Sequence, residues 1–140
     1  MANKMILLVG DDGGMRRALD AHLRAKGYDT CLASDAITSI SAARKQQPSL
    51  VILDLALAGG DGFAVIERLK RHPSLSVIPI IVISARNASG NRERAMKAGA
   101  KVFLQEPVDN VELLAIIRQT LGEPGHAGDA AVTGRWKATA

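Results

Sequence analysis

The chain is 140 residues long, enough for one domain with a real core, and it carries a formal charge of +4. A single cysteine, Cys31, excludes an intrachain disulfide and any cysteine-rich metal site, which fits a reducing cytoplasm. No apolar run approaches a membrane span, and the first four residues lack the apolar stretch of a signal peptide. The expectation is a soluble cytoplasmic protein with no membrane partner.

Taken in order, residues 4–9 read as a strand that ends at Gly10-Asp11-Asp12-Gly13-Gly14. Apolar residues then recur at helical spacing (Met15, Ala18, Leu19, His22, Leu23), predicting a helix over 15–26 stopped by Gly27. Residues 28–33 form a second short strand, and Ser34-Asp35 cap a helix over 36–47 that ends before Pro48. Leu50-Val51-Ile52-Leu53 is an apolar run of the kind buried on both faces of a parallel sheet, and it leads into Asp54-Leu55. A helix over 62–71 follows. Residues 80–84 give a fourth strand, 87–91 a polar loop, 92–98 a modest helix, 101–104 a fifth strand and 108–121 a last helix.

Strands alternating with helices predict an α/β fold with a parallel sheet and right-handed crossovers. Residues 1–122 form the domain, and 123–140, rich in Gly and Ala, read as a flexible tail whose one sticky residue is Trp136. The basic residues are spread over several helices, with no aromatic-interleaved face, so nucleic-acid binding is not expected.

An ionised carboxylate inside an apolar strand is costly unless paired or metal-bound, but at a strand's C-terminal end it faces the crevice where such sheets bind ligands. Asp54 is therefore either a reactive carboxylate or a turn-capping one. Asp11, Asp12 and Asp54 all fall at strand ends that share one edge, and like charges there call in a cation. Oxygen ligands suit Mg²⁺, and Ser84-Ala85 adds a hydroxyl at the same rim. Nucleophile, divalent cation and hydroxyl donor together suffice for phosphoryl transfer to an aspartate.

On these residues the chain from position 5 to 121 resembles the receiver domain of two-component response regulators. The resemblance implies a flavodoxin-like (βα)5 sheet of strand order 2-1-3-4-5. It implies that Asp54 is the phosphoacceptor, that Mg²⁺ is held by Asp12, Asp54 and the carbonyl of Ala56, and that Asp11 supports them. Ser84 matches the hydroxyl switch position and Phe103 the aromatic that swings inward when the switch is thrown. The implied partners are a sensor histidine kinase or phosphotransfer protein and a downstream protein target. A homodimer through the helix 4–strand 5–helix 5 face is a further possibility of the family.

One departure stands out. The family carries a lysine immediately before the proline that follows strand five; here that residue is Glu106, in Gln105-Glu106-Pro107. A carboxylate turns the lysine's attraction for a phosphoryl group into repulsion. Arg86 lies where receivers tune phosphoryl lifetime and either compensates for Glu106 or points into water. The leading reading is a stand-alone, non-enzymatic receiver whose output is protein–protein contact. The alternative is a degenerate receiver that binds or dimerises independently of phosphorylation. A small Mg²⁺-dependent phosphohydrolase would need a general acid two residues after Asp54, where Ala56 stands.

His22, at an apolar helix position, is expected to pack rather than to donate a phosphoryl group. Cys31 is expected in the core, and His72 and His126 in surface loops. Gly13-Gly14 and Gly59-Gly60 lack the Lys and Ser/Thr of a nucleotide-binding loop.

Overall fold

A computed structural model of the chain describes residues 3–10, 13–55, 62–84 and 89–123. Its elements run β1 (Met5–Val9), α1 (Gly13–Ala25), β2 (Asp29–Ala33), α2 (Ala36–Gln46), β3 (Leu50–Asp54), α3 (Gly62–Arg71), β4 (Ile80–Ser84), α4 (Ser89–Ala98), β5 (Val102–Gln105) and α5 (Asn110–Thr120). The five strands form one parallel sheet in the order β2-β1-β3-β4-β5. This is the doubly wound, flavodoxin-like order that the resemblance implies.

Strand alternation divides the core in two. Leu7, Val9, Val51, Leu53, Ile80, Val82 and Phe103 pack with Val65, Ile66 and Leu69 of α3 and Ala95 of α4. Ile6, Leu8, Leu50, Ile52, Ile81, Ile83 and Leu104 pack on the opposite face with Leu19 and Leu23 of α1 and Leu113, Ile116 and Ile117 of α5. Because helices cover both faces, every residue of β3 and β4 is buried. The uninterrupted apolar runs of the sequence have this physical origin. Leu53→Ala in such a layer costs about 2–5 kcal/mol, since the removed methyls leave a void that the rigid sheet cannot close.

Element boundaries differ from the sequence expectation where propensity is weak. Helix α1 starts at Gly13 and not at Met15, because the two glycines carry no helical signal of their own. Helix α4 starts at Ser89, so residues 89–91 of the expected loop are helical. Its glycine- and asparagine-containing first turn offers no apolar period to read. Helix α5 starts after Asp109, whose carboxylate accepts from the Val111 amide at 2.9 Å; Val108 lies outside it. The Asp35 cap is present as expected, in a reciprocal capping box with Thr38. Gln47 closes α2 in the left-handed conformation (φ 48°), immediately before Pro48.

Glu123, the first residue of the segment read as a tail, contacts the body. Glu123 accepts from the Tyr28 hydroxyl at 2.5 Å and pairs with Lys4 at 3.0 Å, which fastens it to the body. Tyr28 itself precedes β2 and is buried in the α1/α5 layer. Residues 124–140, with His126 and Trp136, lie outside the described residues. Among those described, no helix is long and apolar enough to cross a membrane.

Candidate functional site

Parallel pairing brings the C-terminal ends of the strands to one edge, and the register fixes which residues meet there. Asp54 ends β3 opposite Ile83, and Ser84 ends β4 opposite Gln105. The ladder continues past both strands: the Leu55 amide donates to the Ile83 carbonyl at 3.0 Å, and the Glu106 amide to the Ser84 carbonyl at 2.8 Å. Gly10, just beyond β1, lies directly against Asp54. A Cβ at Gly10 would sit 3.3 Å from the Asp54 Cβ and 3.9 Å from Oδ2, so the glycine permits a close approach. Gly10, Asp54, Ser84 and Glu106 thus share one rim.

Asp54 is only 5 % exposed and Ser84 only 3 %, a pair of polar side chains held at the boundary of an apolar sheet. Asp54 continues the alternation of Leu50 and Ile52, and beneath it lies a small apolar recess shared with Leu8, Leu19, Ile52 and Ile83. Its underside is dry, so charge on this carboxylate has to be balanced from the rim. Ser84 continues the alternation of Ile80 and Val82, in the layer that also holds Phe103. Phe103 is buried, aligned with Val82, and the Arg92 guanidinium sits 5.9 Å from its ring centroid. Arg94 stacks more closely over Phe63, at 3.9 Å. Neither arginine was singled out by sequence reading, because basic residues on a polar helix look like a solvated face.

Asp11, Asp12, Ala56 and Arg86 lie outside the described residues. Of the expected acidic set only Asp54 is described, and among the described residues no three His, Cys, Asp or Glu side chains converge on a possible metal position. The other candidates behave as packing residues. His22 is half-buried on α1, with no hydrogen-bond partner for Nε2 among the described residues. Cys31 is half-buried against the α2/α3 layer, and burial pushes its thiol above the usual range, away from reactivity. His72 follows α3 and is half-buried.

A doubly wound parallel sheet with a buried aspartate and serine on its C-terminal rim defines a flavodoxin-like α/β module with polar groups at its ligand-binding edge. The family model "Response regulator receiver domain" matches residues 6–118, and the chain belongs to that family. It is 36% identical over 113 residues to the response regulator PleD of Caulobacter vibrioides, covering 81% of this chain and 25% of PleD. It is 34% identical over 116 residues to the DNA-binding dual master transcriptional regulator RpaA of Synechocystis, covering 83% and 48%. The chain therefore spans between a quarter and about half of these curated relatives. Among solved structures, the receiver domain of NtrX from Brucella abortus superposes with a TM-score of 0.76 at 30% identity, covering 85% of this chain and 99% of that one. The receiver domain of the sensor histidine kinase PA1611 from Pseudomonas aeruginosa, which has a magnesium ion in its active-site cleft, gives 0.80 at 29% identity, covering 87% and 100%.

Proposed function

We propose that Asp54 accepts a phosphoryl group from a histidine kinase or phosphotransfer protein, and that Glu106 weakens this reaction relative to a lysine-bearing receiver. The observation that carries the reading is the buried Asp54 carboxylate at the rim, with Gly10 pressed against it and Ser84 and Glu106 on adjoining strands. In the reaction an Asp54 carboxylate oxygen attacks phosphorus. An O–P bond forms as the donor's N–P bond breaks, and the donor imidazole leaves neutral after taking a proton from water. The apolar recess beneath Asp54 leaves the rim as the side from which a phosphodonor approaches. The Ser84 hydroxyl is the donor available on the next strand for a phosphoryl oxygen.

The donor set fits Mg²⁺, the ion in the PA1611 cleft: hard oxygens from Asp12, Asp54 and the Ala56 carbonyl would hold it, with Asp11 supporting. When bound, that ion supplies neutralisation of the charge that gathers on the phosphoryl oxygens. Output is by protein contact, with no chemistry on a free substrate, through the α4–β5–α5 face where Phe103 and Arg92 meet. A homodimer through that face is one form the contact can take. The chain works as a cytoplasmic module with neither a membrane nor a nucleic-acid partner of its own.

Incubation with Mg²⁺ and acetyl phosphate, read by intact mass, tests the reading. A phosphoryl adduct that disappears in Asp54→Asn is expected, and no adduct with any small donor refutes it. A second reading, a phosphorylation-independent binding module, rests on residue identity: position 106, whose amide donates to the Ser84 carbonyl at the rim, carries a carboxylate where the family carries a lysine. In that case no adduct forms, yet partner binding persists in Asp54→Asn.

A further inference from the structure

A separate concavity includes none of the rim residues. Between α2 and α3 a groove of about 680 Å³ runs from the first turn of α2 to the last turns of both helices, and its basic end lies at the N-terminal edge of the sheet, where α2 returns to β3 and α3 leads toward β4. The length of a five-residue strand, roughly 16 Å, separates this edge from Asp54. The α2 wall is a single helical stripe at spacings of three and four residues: Ile37 and Ile40 at one end, Arg44 and Lys45 at the other. The α3 wall adds Arg68 and Arg71, followed by His72.

None of these four cations has a carboxylate partner among the described residues, and Glu67, the acid of α3, does not line the groove. Helix-dipole complementarity accounts for basic residues in each last turn. It gives no reason for two sets to face one groove, nor for Ile37 to stand 73% exposed at its mouth.

We infer that the α2–α3 groove docks an acidic, amphipathic segment of a partner protein, which sets apolar side chains on Ile37 and Ile40 and carboxylates on Arg44, Lys45, Arg68 and Arg71. Charge complementarity selects the acids. Exposed Ile37 and half-buried Ile40 at one end of the groove, with no Phe, Tyr or Trp in its lining, select a peptide over a nucleic acid. The stripe from position 37 to 45 runs about 12 Å along α2, the length of two turns of a partner helix.

The test uses the full chain and a fluorescent helical peptide with leucines at one end and glutamates at the other. It is compared with a Glu→Gln version and with a DNA duplex of similar charge. The acidic peptide is expected to shift amide resonances of residues 37–45 and 68–72, and to bind more weakly as salt rises. The double variant Arg44→Glu/Arg68→Glu should lose about tenfold in affinity, and Ile37→Ser a smaller factor. Lys45→Ala/Arg71→Ala gives the same direction without charge reversal. Asp54→Asn should leave binding unchanged, which separates this surface from the phosphoacceptor reading. Equal binding of the glutamine peptide, an unaffected double variant, shifts confined to another face, or tighter binding of the duplex would each overturn the inference.

Discussion

The backbone amide of Glu106 donates to the carbonyl of Ser84 at 2.8 Å, tying the residue after β5 to the last residue of β4. Position 106 is therefore part of the rim whatever side chain it carries. A charge about 4 Å from a phosphoryl group is worth about 4 kcal/mol at an effective dielectric near 20, and water screens part of it. Glu106→Lys is expected to raise the rate of phosphoryl incorporation from acetyl phosphate by at least about tenfold, with Glu106→Gln in between. A time course of intact mass measures it. Equal rates for all three would remove Glu106 from the site.

Gly10 and Asp54 make a second testable contact. A methyl at position 10 would press on the Asp54 Cβ at 3.3 Å, closer than side chains usually pack. Gly10→Ala should destabilise the fold by about 1–3 kcal/mol in urea and also slow phosphoryl incorporation. Loss of stability with an unchanged rate would mean that Asp54 absorbs the shift without consequence.

Phe103 and Arg92 contribute separately. Truncating the buried ring in Phe103→Ala should cost about 3–5 kcal/mol. Arg92→Ala, which removes the cation over that ring, should cost less, about 0.5–1 kcal/mol from that contact. Denaturant titrations of both variants test the ordering. A larger loss for Arg92→Ala would mean that the arginine makes a different and stronger contact.

Glu123, Tyr28 and Lys4 predict a pH signature. Burial, reinforced by the neighbouring Glu123 carboxylate, pushes the Tyr28 hydroxyl up to about 12 from its usual 10. This stability is complete below pH 10 and is lost as pH rises toward 12, since the unfolded tyrosine ionises first. Burial acts to raise the Glu123 carboxyl, but the Tyr28 hydroxyl and Lys4 ammonium outweigh it and leave it below its usual 4.5. Its contribution is present above pH 4.5 and fades as the carboxyl protonates in acid. Thermal melts across pH should show both limbs. Glu123→Gln should flatten the acid limb, and an unchanged profile would contradict the network.

How far the chain could be read from its residues follows from where signal is concentrated. Leu50 to Asp54 and Ile80 to Ser84 were legible because burial on both faces leaves no polar position in the strand. The rim placement of Asp54 and Ser84 was legible because a polar residue ending such a run has to face the rim. The start of α4 was not, since its first turn has neither an apolar period nor strong helix formers. Glu123 was missed because its partners Tyr28 and Lys4 lie about a hundred residues earlier, a pairing that local composition cannot reveal. Arg92 over Phe103 joins the consecutive elements α4 and β5, and depends on how the helix packs against the strand. The α2 stripe from Ile37 to Lys45 was readable in spacing, but that α3 supplies the facing cations depended on the packing of the two helices.

Binding of beryllofluoride, a phosphoryl mimic, in the presence of Mg²⁺ tests the central claim most directly, because it needs Asp54 and the rim but no donor. By ¹⁹F NMR the wild-type chain should give a protein-bound resonance that is absent in Asp54→Asn and strengthened in Glu106→Lys. No bound resonance in the wild type or in Glu106→Lys, or one that survives Asp54→Asn, would contradict Asp54 as the phosphoacceptor.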